Sequence, residues 1–245
     1  MNYKLTVSYD GRQYDGWQRQ GNTDKTIQGK LETLLTRLEG EEINIQGAGR
    51  TDAGVHALAQ VCNCRLKKNW NEAELRDKMN EYLPMDIAIT NVEKVPERFH
   101  ARLSCVGKTY AYRIFTGKIP NVFERNYVYN YGSGLMTDKM REATGYLVGT
   151  QDFMSFCANK HMKKSSVRTI YSIEITETEN EIKITYHGNG FLYNMVRIIT
   201  GTLIEVGEGK RTPESMKDIL EKRDRKEAGY TAPASGLILC SVEYD

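Results

Sequence analysis

The N-terminal part of the chain alternates between two periods of apolar residues. Residues 4–10 (KLTVSYD) alternate apolar and polar positions, which is typical of a strand with one buried face. Residues 26–38 carry their apolar side chains on one helical face, and Thr26 stands in the capping position. Strands at 43–48, 56–66 and 86–94 and a helix at 71–82 complete the predicted order β-α-β-β-α-β. Ferredoxin-like and RNA-recognition domains have this order.

The rest of the chain repeats this order less cleanly. Its patterning predicts a strand at 108–115, a helix at 136–148, a strand hairpin at 167–177 and 181–187, helices at 191–206 and 213–222, and a strand at 236–243. We therefore expect an α+β fold of two pseudo-symmetric, ferredoxin-like or RRM-like halves, residues 1–104 and 105–245. A cleft between two such sheets would suit an extended ligand.

Composition limits the class of protein without choosing a partner. The 245 residues are 27% charged and carry a net charge of +2, which neither requires nor excludes a nucleic acid. Five scattered cysteines without a CxxC pair favour a reduced, cytoplasmic protein. We expect no signal peptide and no membrane span, because no apolar run reaches the roughly 18 residues required. The histidines are isolated, and Cys62 and Cys64 lack a matching pair, so we expect no metal site.

Basic residues are clustered in segments 98–113, 160–168 and 222–226. A solvated surface would explain each cluster, but in the first one charged and aromatic residues alternate along a predicted strand. Within it, K108-TYAYRIF partly matches the aromatic strand motif of RNA-recognition domains. Tyr110 and Tyr112 would then share a face on which bases could stack. Two half-buried sheet tyrosines would give the same pattern.

The segment G47-AGRTDAGVH-56 concentrates glycine and charge between two predicted strands. It is a poor phosphate-binding loop, because Asp52 would repel a pyrophosphate and because the following residues alternate like a strand. We interpret it as a strand-turn-strand loop that presents Asp52. Gly49 and Gly54 would allow backbone conformations closed to other residues. An ordinary hairpin turn is the alternative.

The apolar segment 191–206 places Arg197 in the middle of a helix that should be buried. An unpaired buried charge is costly, so Arg197 should meet a carboxylate, and Asp52 is a candidate. The alternative is that Arg197 extends to solvent from the edge of the helix. Gly190, Asn194 and Gly201 share one face of this helix and would form a groove that another backbone can approach.

Several segments together resemble the TruA family of tRNA pseudouridine synthases. They occur in the family's order and span nearly the whole chain: Y14-DGWQRQ-20, T26-IQGKLE-32, G49-RTDAGVHA-57, F99-HARLS-104, K108-TYAY-112, F191-LYNMVRIITGTL-203 and A232-PASGLIL-239. The resemblance implies a cofactor-free homodimer that isomerises uridines at positions 38 to 40 in the anticodon arm of tRNA. It also implies an extended antiparallel sheet flanked by helices, with a basic central cleft.

The same resemblance implies roles for individual residues. Asp52 is expected to be the catalytic aspartate, Tyr110 the active-site tyrosine and Arg197 the basic partner of the aspartate. Arg50 is expected to help flip the target base, and Leu237 to line the uracil pocket. The basic segments would contact the RNA backbone through Arg98, Arg102, Lys108, Lys163, Lys164 and Arg168.

The implied reaction breaks the C1′–N1 bond of uridine, turns the uracil and joins its C5 to C1′. No redox change occurs, so we expect no cofactor and no metal. Asp52 would act as the nucleophile, and the choice between attack on C1′ and a glycal route stays open. Two other interpretations also stay open: a non-catalytic RNA-binding protein with paired RRM-like folds, and the same isomerase acting on another RNA.

Overall fold

The structure, a computed structural model, describes residues 1–159, 162 and 164–245 of the chain. In chain order, its strands and helices are β1 (Asn2–Tyr9), α1 (Ile27–Glu39), β2 (Ile45–Gly47), β3 (His56–Arg65), α2 (Glu72–Tyr82), β4 (Ile87–Val95), β5 (Cys105–Phe115), β6 (Tyr129–Asn130), α3 (Thr137–Gly145), β7 (Gly149–Asp152), β8 (Val167–Glu177), β9 (Glu181–Gly188), α4 (Met195–Gly207), α5 (Ser215–Lys222) and β10 (Leu237–Tyr244). Within these described ranges, no helix is both long and apolar enough to cross a membrane.

The described residues form two units: Met1–Val106 together with Ile238–Asp245, and Gly107–Leu237. The predicted halves, 1–104 and 105–245, have a similar boundary near residue 105 but place the C-terminal segment differently. That segment groups with the first unit because Ile238 and Leu239 pair in parallel with His56 and Ala57 of β3. The assignment of separate roles to the two halves stays a prediction.

The first unit has the predicted element order and a largely antiparallel sheet. Its strands run β4-β1-β3-β2, and each of these neighbours is antiparallel. Helix α1 buries Leu31 and Leu35, and α2 buries Leu75 and Met79. The Thr26 side chain caps α1 as predicted, because its hydroxyl oxygen accepts a hydrogen bond from the N–H of Gly29 at 3.2 Å. The sheet and its two helices place the β2–β3 loop at the end of the central strands.

The second unit repeats part of this arrangement. Its strands run β5-β9-β8-β7 with antiparallel neighbours, so β5-β9-β8 follows the order of β1-β3-β2. The predicted hairpin is the β8–β9 connection, and the α+β class is confirmed. Helix α4 begins at Met195 rather than at 191, because Asn194 takes a left-handed φ of 59° that cannot continue the helix backward. Strands β6 and β7 were not predicted, since they are too short to show an alternating pattern.

Candidate active site

Asp52 lies on the connection between β2 and β3, which is a strand-turn-strand loop as predicted. Gly47, the last residue of β2, pairs with Cys62 of β3. The N–H of Val55 donates to the carbonyl of Asp52 at 3.1 Å and closes a tight turn. Gly54 has a φ of 78° in this turn, a conformation that glycine adopts at little cost, whereas Gly49 is not in the left-handed region. The turn therefore fixes the backbone on the C-terminal side of Asp52.

The segment 14–17 holds this loop in place through backbone hydrogen bonds. The N–H of Trp17 donates to the carbonyl of Thr51 at 3.1 Å, and the N–H of Gly54 donates to the carbonyl of Tyr14 at 3.3 Å. Gly16 has a φ of 100°, and a Cβ there would lie 2.8 Å from the Thr51 carbonyl oxygen. These backbone contacts were not predicted from the sequence, although a glycine next to an aromatic residue in Y14-DGW marks a place where two backbones meet.

A second set of contacts fixes the residues before Asp52 from the sheet side. The Tyr9 hydroxyl and the Thr51 Oγ1 are 2.8 Å apart in a buried hydrogen bond. Burial raises the pKa of the Tyr9 hydroxyl above its ordinary value, so this group stays neutral. The Gln60 side chain donates to the carbonyl of Gly49 at 3.2 Å. Between these anchors Asp52 is half-buried and Arg50 is exposed, so the loop holds an acid at a surface that a ligand can reach.

In the second unit, the two tyrosines of the K108-TYAY segment have different environments. Tyr110 is 8% exposed and pairs across the sheet with Tyr186. Its ring meets the Phe191 ring edge-on, with the centroids 5.3 Å apart. Tyr112 has no exposed surface, and its hydroxyl donates to the carbonyl of Pro233 at 2.7 Å. Tyr112 is therefore a core residue that cannot stack on a base, and Tyr110 alone remains a candidate.

Arg197 is half-buried on the first turn of α4 and is held by groups of its own unit. Its Nε donates to the carbonyl of Ala232 at 2.7 Å, and its Nη1 donates to the Asn194 Oδ1 at 3.1 Å. The backbone of Tyr230 crosses α4 at Gly201, where any Cβ would collide with the Tyr230 carbonyl oxygen. Of the three residues of the predicted small-residue groove, Gly201 thus receives the segment 230–232, whereas Gly190 lies before α4 and faces Arg168. The pairing of Arg197 with Asp52 stays a prediction.

The segment 232–237 joins three of the residues that the sequence singled out in this unit. Its first two carbonyls, those of Ala232 and Pro233, accept hydrogen bonds from Arg197 and Tyr112. Gly236 faces the Tyr112 ring, where a Cβ would lie 2.7 Å from the ring carbons. Leu237 follows and is 5% exposed. The Ala232 carbonyl that orients Arg197 was missed in the sequence, because backbone acceptors leave no signature in residue identity.

The predicted RNA-backbone residues lie at the surface to different degrees. In the first unit, Arg98 and Arg102 are exposed. In the second, Lys164 is exposed, whereas Lys108 and Arg168 are partly buried. Lys163 lies outside the described residues. Within the described part of the chain, no group of three or more His, Cys, Asp or Glu side chains is arranged to hold a metal ion.

Comparison with known proteins gives matches along almost the entire chain. A family model described as tRNA pseudouridine synthase matches residues 5–103 and 143–245. A protein named tRNA pseudouridine synthase A 2 from Bacillus cereus is 48% identical over 243 residues, which cover 99% of both chains. Proteins named tRNA pseudouridine synthase A from a Bacillus species and from Clostridium acetobutylicum are each 47% identical over the same length, again with 99% of both chains covered.

The similarity of this chain to solved structures is weaker than its similarity to these relatives. One chain in the crystal structure of a Cbf5–Nop10–Gar1 complex matches with a TM-score of 0.41 and 12% identity, over 97% of this chain and 48% of that one. A likeness at this level has no bearing on function.

Proposed function

Because the chain belongs to the tRNA pseudouridine synthase family, we propose that it isomerises uridines at positions 38 to 40 in the anticodon arm of tRNA, with Asp52 as its nucleophile. The family establishes the coarser part, an isomerase that converts uridine in tRNA to pseudouridine. The positions in the tRNA and the roles of individual residues are the proposal.

The observation that carries the assignment of Asp52 is the way its loop is held. Trp17 and Tyr9 fix Thr51 on one side, and the turn to Val55 fixes the other. A reacting group on a pre-fixed backbone needs little reorganisation before it meets the sugar. A free aspartate has a pKa of about 3.9, so a carboxylate is the nucleophile available at neutral pH without help from another base. The target uridine has to leave the base stack to reach it, at a cost of about a few kcal/mol.

The other residues receive roles that follow from this chemistry. Arg197 would keep Asp52 ionised by its positive charge. Tyr110 would stack on the uracil and take or relay the C5 proton after the new bond forms. Leu237 would line the uracil pocket, and Arg50 would occupy the space that the flipped base leaves. The homodimer implied by the family resemblance and the cytoplasmic location favoured by the cysteine pattern are proposals of the same kind.

Asp52→Asn tests the nucleophile with a side chain of nearly the same shape. We expect pseudouridine formation on transcribed tRNA to fall at least about 10³-fold, because the amide cannot form the covalent bond, while tRNA binding is retained. Asp24→Asn, at an exposed position of the same unit, is the matched control and should keep full activity. Full activity in Asp52→Asn would refute the assignment.

Mapping pseudouridine in RNA from cells with and without the gene tests the target. Loss restricted to positions 38 to 40 is the expected result. Loss at other tRNA positions, or in another RNA, would replace that part of the proposal and leave the role of Asp52 intact.

A further inference from the structure

A pocket beside the Asp52 loop has a lining of which the proposed catalytic roles use only Arg50. It encloses about 540 Å³, and its walls come from segments 17–18, 44–50 and 100–102 together with Gln28, all in the first unit. This volume falls within the usual range for small-ligand sites, about 300–1,000 Å³. Arg50 lines the pocket and is two residues from Asp52, so their Cα atoms are at most about 7 Å apart. The pocket therefore borders the loop that carries Asp52.

The charges in this pocket are all of one sign. Arg50 and Arg102 line it, and no aspartate or glutamate does. Other arginines of the first unit, Arg12, Arg65 and Arg76, each form an ion pair with a carboxylate. Within the described residues, Arg50 and Arg102 have no such pair, so their guanidinium donors remain available. Guanidinium groups bind phosphate through two parallel hydrogen bonds, which makes a phosphodiester the fitting ligand.

The other polar side chains that line the pocket can form hydrogen bonds with the edge of a base. Asn44 and Gln46 are exposed in the pocket wall, and in the described part of the chain their amides make no hydrogen bond with the protein. The His100 Nδ1 accepts the N–H of Arg102 at 3.1 Å, so its Nε2 is the nitrogen that carries a proton when the ring is neutral. An amide offers a donor and an acceptor side by side, which is the pattern that a base edge presents. Unstacked bases in RNA loops are recognised by such contacts.

A second groove in the first unit has a different lining, so the combination of arginines and amides is not shared by both pockets. That groove is larger, about 1,070 Å³, and lies along α1. Asp24, Glu32 and Glu42 contribute carboxylates to its wall, which would repel a polyanion. The smaller pocket combines unpaired arginines with amides and lacks acids.

We propose that the pocket beside the Asp52 loop binds a nucleotide adjacent to the target uridine. Arg50 and Arg102 would hold its phosphate, and Asn44 and Gln46 would contact its base edge. This inference rests on the proposed function in one respect, namely that the ligand is the RNA substrate.

Direct binding of tRNA to the full-length protein tests the phosphate contact. Arg102→Gln in an Asp52→Asn background should weaken binding about 5- to 10-fold and lower the slope of log K against log salt by about 0.7, the loss of one single-strand phosphate contact. Arg37→Gln removes the same charge from an exposed position of α1 that is also without an ion pair in the described chain, and it should change neither quantity. Equal effects of the two variants would overturn the phosphate assignment. Because the assay needs no turnover, it stays interpretable even if Asp52 proves not to be the nucleophile.

An abasic residue in the RNA tests the base contact. Anticodon stem-loops that lack the base on the 5′ or the 3′ side of the target should bind wild-type protein about 5-fold more weakly at one of these positions. Gln46→Ala should bind the intact RNA with the same loss and lose nothing more with the abasic RNA. Additive losses, or no loss from either abasic RNA, would overturn the base contact. Uridine monophosphate that binds this pocket without weakening tRNA binding would show a free-nucleotide site instead, and would also overturn the proposal.

Discussion

The Asp52 loop and the start of helix α4 both depend on one backbone crossing another at a glycine, but they use the crossing differently. At Gly16 the approaching backbone is that of residues 51–53, so it carries the acid itself. At Gly201 the approaching backbone is that of Tyr230, and it leads to Ala232, whose carbonyl holds Arg197. The first crossing therefore fixes the main chain that carries Asp52. The second fixes the Arg197 side chain through the hydrogen-bond acceptor at Ala232.

This difference predicts different sensitivities. A residue placed by its own backbone, such as Asp52, is precise because several hydrogen bonds on both sides share the constraint. A residue placed by side-chain bonds, such as Arg197, depends on the positions of its acceptors, among them those of Ala232 and Asn194. Changes near α4 should therefore act on catalysis directly, whereas single changes around the loop should act mainly on stability.

Among the changes that test this difference, the largest effect is expected for Arg197→Met, which keeps a flexible, unbranched apolar stem and removes the charge and the donors. We expect turnover to fall about 10²-fold, because the charge that we propose keeps Asp52 ionised is lost and the groups around Arg197 shift. Arg197→Lys keeps the charge without the planar fork, so its activity separates charge from orientation. The measurement is the single-turnover rate on tRNA, and Arg141→Gln on the surface of α3 is the control. An unchanged rate in Arg197→Met would mean that Asp52 acts without this partner.

A smaller effect is expected where Tyr230 crosses α4. Gly201→Ala forces the Tyr230 backbone away, and we expect a loss of about 1–3 kcal/mol in the free energy of unfolding. Activity should fall as well, since the same segment supplies the acceptor for Arg197. Gly145→Ala in α3 meets no atom within 4 Å and should be neutral or slightly stabilising. Chemical denaturation compares the two variants, and equal stability would show that the crossing can widen freely.

The element order of the first unit and the loop that carries Asp52 were predictable from the sequence, because their signals are local. Period-two and helical patterning gave the order of the first unit, and glycine with charge in one turn singled out Asp52. The sequence could not separate Tyr112 from Tyr110 as a stacking residue, because the environment of Tyr112 depends on Pro233, which lies 121 residues further along the chain. Arg197 was expected to meet a carboxylate, which stays a prediction, and its backbone acceptor at Ala232 could not be identified. Contacts between backbone segments that are distant in sequence leave no periodic pattern of residues. The backbone contacts that hold the site residues in place were therefore not predicted.

The smallest effect is expected for Tyr9→Phe, which removes one hydroxyl beneath the loop. The hydrogen bond between the Tyr9 hydroxyl and the Thr51 Oγ1 is buried, so its loss should cost about 1 kcal/mol of stability. Activity should change less than 3-fold, about 0.7 kcal/mol at most, because the Trp17 N–H still holds the Thr51 carbonyl. Tyr82→Phe, at a tyrosine that is 51% exposed, is the matched control and should change neither stability nor rate. A large loss of activity in Tyr9→Phe with little loss of stability would reverse the comparison, because the loop would then depend on side-chain hydrogen bonds as Arg197 does.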